Sequence, residues 1–373
     1  MMSSNVENLL VDGSLLITEA MVQAGAEVFV GYPITPANLL YAYGRQRFPM
    51  FFPASDEITA LQWVTGFSAA GKLAVTATSF PGFALMIETL NMAYMMEMPM
   101  VIVLVQRLGP STGSATAGAQ GDLLLLRSCI SGGHPLPVLC PSDNKDCWEL
   151  AAESISLSHK LRTPVILLTS KEMMMTASSF DISQLPEITV LEKQYYNSDE
   201  PYKPYLSGDN MVPPLLPLGN DKHQVRINAS THDADGLIKK ATVEALSNTR
   251  RLGEKVRQRI DEYTYFSLDE QAGSDILIVT YGISAAASRD AVSLIRNDGQ
   301  KISLLIVKTL LPVPPEILDI YERFTNILFI EENINGSYRE IIYGQRPPGN
   351  IRSINKFGQM ISPSEIVKEV KLC

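Results

Sequence analysis

The sequence predicts an α/β protein with two units, each a mostly parallel sheet covered by helices, and a long irregular connection between them. Short apolar runs alternate with segments whose apolar residues recur at three- and four-residue steps, the arrangement of βαβ units. The runs are apolar at almost every residue, which is typical of strands buried on both faces. The 373 residues also exceed one typical core, so two domains are expected.

The first unit is predicted to cover residues 1–180. Its predicted strands are 27–31, 74–79, 100–106, 136–140 and 164–169. Its predicted helices, where the apolar spacing has a helical period, are 15–24, 57–70, 83–96 and 147–161.

Residues 181–265 are predicted to form the connection. The segment 181–228 is rich in proline, tyrosine, glycine and asparagine without sustained periodicity, so it should be an irregular arm that can also wrap a neighbouring subunit. A polar helix is predicted at 235–263.

The second unit is predicted to cover residues 266–373. Its strands are placed at 275–280, 303–308 and 327–331, separated by helices at 285–296 and 315–324. Neither unit contains GxGxxG, GxxxxGKS or GxxxxGKT, so nucleotide binding by such loops has no support.

Composition and charge argue against several classes of function. The net charge is -9 and no basic stripe is visible, which argues against a general nucleic-acid-binding protein. The four cysteines lack CxxC spacing, so no metal cluster is expected on this chain.

The apolar segments indicate neither secretion nor a membrane span. The first 14 residues lack a basic region followed by an apolar core, so a cytoplasmic location is expected. The most apolar stretch, 82–105, is interrupted by Glu88, Asn91 and Glu97 and should be a buried helix and strand.

The first informative motif is YPITP (32–36), which lies between a predicted strand and a helical pattern. Ligands bind at such positions in open α/β sheets, and the Thr35 hydroxyl can donate to an anionic substrate. The alternative is that Thr35 caps the helix and Pro36 is its first residue. From the motif alone, the cap is favoured.

The second motif is SDEITAL (55–61), an acidic pair that opens an apolar helix. Helix dipoles favour acids there whatever the function, and this interpretation is favoured for the motif alone. A glutamate facing an apolar cleft could instead share a proton with a ligand nitrogen, and Glu57 is the candidate.

The third motif is QRLGPSTG (106–113), which follows an apolar strand. Arg107 could clamp a carboxylate in bidentate fashion, while the following loop supplies backbone and hydroxyl donors. A salt bridge from Arg107 to an internal acid is an equally good interpretation.

Together with TATSFPGF (76–83), these motifs resemble in order and spacing the α subunits of 2-oxoacid:ferredoxin oxidoreductases. Further matches are QGD (120–122), VPP (212–214), THD (231–233), VTYG (279–282) and EN (332–333). The resemblance covers nearly the whole chain, and YPITP in a strand-to-helix turn is its most specific part.

The resemblance implies a pyrimidine-binding domain for thiamine diphosphate at 1–180 and a transketolase C-terminal-like domain at 266–373. It also implies that the cofactor is shared with a separate β subunit, which supplies the diphosphate- and magnesium-binding domain and an iron–sulfur cluster. The expected reaction is oxidative decarboxylation of a 2-oxoacid, with coenzyme A as co-substrate and ferredoxin as electron acceptor. In this family γ and δ subunits can join the assembly.

The same resemblance implies roles for individual residues. Glu57 matches the glutamate that hydrogen-bonds the aminopyrimidine ring of the cofactor and promotes its imino tautomer. Thr35 and Arg107 match residues that hold the substrate carboxylate. Further cofactor contacts are expected from Tyr32, Pro33 and Gly82, and no metal ligand is expected on this chain.

Two departures from the family pattern bear on substrate choice. Phe80 stands where glycine is common, and residues 114–117 (SATA) replace a stretch that often carries proline and then lysine. Since a lysine could meet a second carboxylate, we expect that a dicarboxylate is not the best substrate.

Two other functions are compatible with part of these observations. A non-oxidative thiamine diphosphate enzyme would share the helix-start glutamate and the domain type. A non-catalytic assembly subunit would account for Phe80 and the altered loop, but it would not explain why Thr35, Glu57 and Arg107 occur together.

Overall fold

A computed structural model describes residues 8–372 of the chain. Residues 1–7, on which the absence of a secretion signal partly depends, and Cys373 lie outside the described residues. The strands are β1 Asn8–Val11, β2 Val28–Gly31, β3 Met50–Pro53, β4 Ala74–Thr78, β5 Met100–Gln106, β6 Val138–Leu139, β7 Pro164–Ser170, β8 Ser178–Asp181, β9 Phe266–Asp269, β10 Ile276–Thr280, β11 Ser303–Val307, β12 Thr309–Leu311, β13 Asn326–Glu331 and β14 Ile351–Asn355. The α-helices are α1 Gly13–Gln23, α2 Asn38–Arg47, α3 Glu57–Ala69, α4 Phe80–Met95, α5 Leu123–Ser128, α6 Asn144–Leu161, α7 Lys171–Met175, α8 Val243–Gln258, α9 Ser284–Asn297, α10 Pro315–Tyr321, α11 Ser337–Tyr343 and α12 Pro363–Val370.

Two sheets covered by helices, and a small two-stranded antiparallel sheet of β1 and β8, form the fold. The larger has the order β12-β6-β7-β5-β4-β2-β3, and its pairs are parallel except that of β12 with β6. The smaller has the order β14-β13-β10-β11-β9 and is parallel except for the edge strand β9. The predicted α/β class with mostly parallel sheets is therefore confirmed, whereas the predicted domain limits stay predictions.

The predicted strands of both units are present, and one of them is much shorter than expected. Of the predicted strand 136–140, only Val138–Leu139 pairs. Pro137 and Pro141 flank the pair, and neither can donate a backbone hydrogen bond to a ladder. The short edge strand β3 was not predicted, and neither were β1, β8, β9, β12 and β14.

The polar helix is shorter than the predicted 235–263, since α8 begins at Val243. The Thr242 side chain accepts the Ala245 N–H and caps the helix at this point. Upstream, the Asp233 carboxylate accepts hydrogen bonds from the N–H groups of Asp235 and Leu237. This local turn keeps those residues out of the helix.

The connection is irregular, as predicted, and its proline-rich part is fixed to the first unit by buried polar contacts. Arg162 donates to the carbonyl oxygens of Pro204 at 3.1 Å, Pro213 at 3.2 Å and Pro214 at 2.8 Å. Beside it, the fully buried Glu97 pairs with Lys255 and Arg251 of α8. The contacts of Arg162 satisfy backbone carbonyl groups that form no hydrogen bond within a sheet or a helix.

No helix among residues 8–372 is both long enough and apolar enough to span a lipid bilayer. Within the same residues, no three acidic, histidine or cysteine side chains are placed to share a metal ion.

Candidate active site

The three sequence motifs meet at one edge of the larger sheet. YPITP follows the carboxyl end of β2, SDEITAL that of β3 and QRLGPSTG that of β5, while TATSFPGF includes the end of β4; these strands are neighbours in the order β5-β4-β2-β3. Because the carboxyl ends of parallel strands lie at the same edge, side chains from distant parts of the sequence come together there.

The YPITP turn lies in front of α2 and does not begin it. The helix starts at Asn38 after Ala37, without a side-chain cap, so the interpretation of Thr35 as a cap and Pro36 as the first helical residue is wrong. Thr35 is half-buried, and its carbonyl oxygen accepts a hydrogen bond from Arg107 Nη1 at 2.5 Å. The preceding Tyr32 and Pro33 are exposed at the edge.

The two acidic residues at the start of α3, Asp56 and Glu57, have different roles. Asp56 is the cap, because its carboxylate accepts the Thr59 N–H at 2.7 Å. Glu57 is the first helical residue and is buried, with a relative exposure of 7%. A carboxylate not required for capping is thus held inside the protein.

Gly82, near the start of α4, leaves the space that Glu57 occupies. A Cβ atom on this glycine would lie 2.2 Å from Thr78 Oγ1, 2.5 Å from Glu57 Cγ and 2.6 Å from Glu57 Oε1. Any side chain would therefore displace Glu57 or the end of β4.

We expect Gly82→Ala to cost about 1–3 kcal/mol of stability, because the added methyl group overpacks a site with no free volume. Catalytic activity should fall with it, since Glu57 must move. Gly66→Ala on α3 is the matched control: nothing lies within 4 Å of its Cβ position. The control should be neutral or slightly stabilising in thermal unfolding, and equal melting temperatures for the two variants would contradict the prediction.

Arg107 directly follows β5 and is buried, with 6% relative exposure. Among the described residues it makes no salt bridge; its bond to Thr35 is to a backbone oxygen, and its Nε has no partner. Burial lowers the pKa of Arg107, while the nearby carboxylates of Asp122 and Glu57 raise it. Of the two interpretations left open by the sequence, the internal salt bridge is not observed.

Asp122 is a site residue that sequence reasoning missed. It entered only as part of the QGD match, yet it is buried beside Arg107, and its Oδ2 has no hydrogen-bond partner among the described residues. Burial raises the pKa of Asp122 to about 7, although the charge of Arg107 lowers it. The available signal was an acid immediately before the apolar run LLLL at 123–126.

The loop after Arg107 folds back on itself and lies over a carboxylate. The Leu108 N–H donates to Ala117 O at 2.8 Å, and the Ser114 N–H donates to Leu108 O at 2.9 Å. At its base, a Cβ on Gly118 would lie 2.0 Å from Glu172 Oε2, an oxygen that is buried and lacks a partner among the described residues. The other oxygen of Glu172, Oε1, pairs with Lys171 Nζ at 3.9 Å.

Gln120 connects this loop to the smaller sheet. Its side-chain nitrogen donates to Tyr281 O at 2.9 Å, and its side-chain oxygen accepts from Ser284 Oγ at 3.0 Å and from the Glu332 N–H at 2.8 Å. Asn333 Nδ2 also donates to the Gln120 carbonyl oxygen at 3.2 Å. The VTYG and EN matches of the second unit therefore lie where they hold the candidate site in place.

Thr35, Glu57, Gly82 and Arg107 thus adjoin one another, as the sequence predicted, with Asp122 added by the structure. Tyr32 and Pro33 are at the mouth of the same turn. The roles of these residues stay predictions.

Comparison with known proteins supports the sequence-based resemblance. Residues 19–251 match the family described as pyruvate flavodoxin/ferredoxin oxidoreductase, thiamine diphosphate-binding, and residues 274–364 match pyruvate:ferredoxin oxidoreductase core domain II. The 2-oxoglutarate synthase subunit KorA of Archaeoglobus fulgidus is 28% identical, with 98% of this chain and 99% of that protein aligned. The 2-oxoacid:ferredoxin oxidoreductase subunit alpha of Saccharolobus solfataricus is 27% identical over 91% of this chain and 57% of its own length.

Solved structures show the same relationship. The 2-oxoglutarate:ferredoxin oxidoreductase from Magnetococcus marinus, with 2-oxoglutarate, coenzyme A and succinyl-CoA bound, superposes with a TM-score of 0.90 at 27% identity. The alignment covers 98% of this chain and 65% of that one. A split-gene transketolase in an inactive β4 tetramer, with a TM-score of 0.54 and 13% identity, shares the fold alone.

Proposed function

The chain belongs to the pyruvate flavodoxin/ferredoxin oxidoreductase family, and from this premise we propose that it is the α subunit of a 2-oxoacid:ferredoxin oxidoreductase. The enzyme decarboxylates a 2-oxoacid oxidatively, forms an acyl-CoA and passes electrons through iron–sulfur centres to ferredoxin. The observation that carries this proposal is the buried Glu57, fitted against Gly82 and beside Arg107, at a sheet edge where ligands bind.

The residues fit one end of thiamine diphosphate. The buried carboxylate of Glu57 is suited to hydrogen-bond an aminopyrimidine, and Gly82, which has no side chain, leaves the space that Glu57 occupies. When bound, the cofactor supplies a nucleophilic carbon for attack on the 2-oxo group. Glu57 holds a proton for the pyrimidine ring at its carboxylate oxygen, and Tyr32 and Pro33 line the mouth.

The substrate carboxylate is held by Arg107 and Thr35. Arg107 has a buried Nε without a partner in the described part of the chain, so the guanidinium retains a donor for an incoming anion. The bond from Nη1 to Thr35 O fixes its orientation.

Arg107→Met should raise the KM for the 2-oxoacid about 10- to 100-fold, the loss expected for one charge-assisted hydrogen-bonded contact. Steady-state kinetics of the assembled enzyme would measure it. Arg250→Met, an exposed position on α8, is the control. A change confined to kcat in Arg107→Met would argue against a role in substrate binding.

We expect the substrate to be a monocarboxylic 2-oxoacid. The loop 114–117 carries no lysine, Glu172 lies beneath its base, and Phe80 is partly buried at the start of α4. The absence of a lysine from the loop and the added ring disfavour a second carboxylate, even though the names of several relatives specify 2-oxoglutarate.

The partner that completes the site is a β subunit carrying the diphosphate, Mg²⁺ and iron–sulfur sites. Exposed apolar side chains support this, since Ile58 and Trp63 lie on the first two turns of α3 and Leu85 on those of α4, the helices that carry Glu57 and Gly82. Coenzyme A is the co-substrate, γ and δ subunits are candidates for further members of the assembly, and the location is cytoplasmic.

The decisive experiment is to purify the chain with its native partners and to measure coenzyme-A-dependent dye reduction with added thiamine diphosphate over a panel of 2-oxoacids. Activity is expected with branched or aryl monocarboxylates above that with 2-oxoglutarate. A higher kcat/KM with 2-oxoglutarate would overturn the substrate class alone. A complex that binds the cofactor but reduces no dye would overturn the function.

A further inference from the structure

Asp122 lies beside Arg107 without forming an ion pair with it. Its backbone N–H donates to Gln106 Oε1 at 3.2 Å, which ties the residue to the end of β5, next to Arg107 in the chain. Asp122 Oδ2 and Arg107 Nε are both buried and both lack a partner among residues 8–372. With 7% and 6% relative exposure, neither side chain can satisfy these atoms with bulk water.

The charges around Asp122 leave Arg107 as the group that acts on it. Other charged or titratable side chains on the neighbouring elements are Glu57 on α3, Arg127 on α5, Glu331 and Glu332 at the end of β13, and Tyr338, Arg339 and Glu340 on α11. Arg127 is exposed, and Glu331 and Glu332 are held by backbone N–H groups. Glu57 acts on Arg107, so two carboxyl groups share one guanidinium.

We propose that Asp122 is a positioning residue that sets the charge available on Arg107, and that a 2-oxoacid binds together with a proton taken up by Asp122 from the buffer. This inference rests on the function proposed above. With Asp122 ionised, its carboxylate competes with the substrate carboxylate for the Arg107 guanidinium. With Asp122 protonated, that competing charge is gone and Arg107 is free to bind the substrate carboxylate.

The direction of the pH effect follows from linkage. Since the pKa of Asp122 is about 7, the group is neutral and the substrate is bound well below that pH. As the pH rises above it, Asp122 ionises and the KM should rise by up to about tenfold per pH unit, because one proton accompanies each substrate. The kcat should change little through this residue, since Asp122 does not contact the reacting atoms.

The test is calorimetry of the cofactor-loaded complex with oxamate, an unreactive isostere of a 2-oxoacid, at pH 8 in buffers of different ionisation enthalpy. Wild-type protein should take up about one proton per bound oxamate. Asp122→Asn should take up none and show a KM independent of pH from 6.5 to 8.5, about equal to the low-pH wild-type value. Asp143→Asn, which also replaces an acid at a helix start, should behave as wild type.

Binding of oxamate to wild type without proton uptake would overturn the inference, and this measurement needs no folded variant. An unchanged KM slope in Asp122→Asn would overturn it as well. Turnover of 2-oxoacids with a pH-independent KM contradicts only this inference. Absence of any 2-oxoacid turnover, at every pH, contradicts the proposed function instead.

Discussion

Replacing Glu57 with glutamine is expected to lower the kcat of the assembled enzyme by about 10²- to 10⁴-fold, the range that positioned acid–base groups contribute. Glutamine keeps the shape and burial of the side chain, so packing against Gly82 should survive. It cannot hold the proton that the pyrimidine ring must exchange. The variant should therefore bind thiamine diphosphate yet exchange the cofactor's C2 hydrogen with deuterated water much more slowly, which NMR after acid quench measures.

Glu254→Gln is the matched control, because it makes the same chemical change at an exposed position of α8. It should retain wild-type kcat and exchange. If Glu57→Gln kept more than about a tenth of the activity, Glu57 would be a structural acid and the assembly-subunit interpretation would gain support.

The second large effect is expected at Glu97, which is fully buried and pairs with Lys255, at 2.5 Å, and Arg251. Glu97→Gln should destabilise the protein by about 3–5 kcal/mol, since it leaves a buried ammonium without its counter-charge. The connection should also open, because Arg251 Nη1 holds the Met211 carbonyl oxygen at 2.8 Å. Urea unfolding and limited proteolysis near residue 211 measure both effects.

Glu262→Gln is the control, because the Glu262 side chain pairs with Arg259 but is 48% exposed. It should change the free energy of unfolding by less than about 1 kcal/mol. The double variant Glu97→Gln/Lys255→Met should recover part of the loss, because it removes both buried charges. Equal free energies of unfolding for Glu97→Gln and Glu262→Gln would show that the buried cluster does not stabilise the protein.

The pH dependence of the Glu97 cluster has a definite sign. Burial raises the pKa of Glu97, but the positive charges of Lys255 and Arg251 lower it by more. The pKa of Glu97 therefore lies well below its usual range. The stabilisation that Glu97 contributes is therefore complete above the ordinary glutamate pKa of about 4.3 and is lost as the pH falls below it. Burial lowers the pKa of Lys255 to about 8, although Glu97 raises it, so the cluster titrates a second time at alkaline pH. The free energy of unfolding of Glu97→Gln should be lower than that of wild type near neutral pH. It should also fall less steeply as the pH is lowered.

The parts of the fold that local pattern determines were predicted closely. The strand Met100–Gln106 was predicted residue for residue, and α3 begins at Glu57 as expected, because a long apolar run and an acidic helix start are properties of neighbouring residues. The family motifs likewise identified Thr35, Glu57, Gly82 and Arg107, which the fold brings to one sheet edge.

The errors lie where residues far apart in the sequence decide the outcome. Thr35 does not cap α2: the helix begins only at Asn38, and the Thr35 carbonyl oxygen accepts a hydrogen bond from Arg107, 72 residues away. The strand Thr309–Leu311 pairs antiparallel with Val138–Leu139 across two units, and no local pattern encodes such a pairing. Burial, which cannot be read from neighbouring residues, is what makes Asp122 important.

The sequence by itself determined the class of fold, the family and the chemistry of the motifs, since these depend on residue types and short spacings. Only the tertiary structure decided which acid caps α3 and which one faces the site, that Arg107 lacks an internal ion pair, and that Asp122 adjoins it. Those properties depend on desolvation and on distances between segments, and both arise only when the strands are placed side by side.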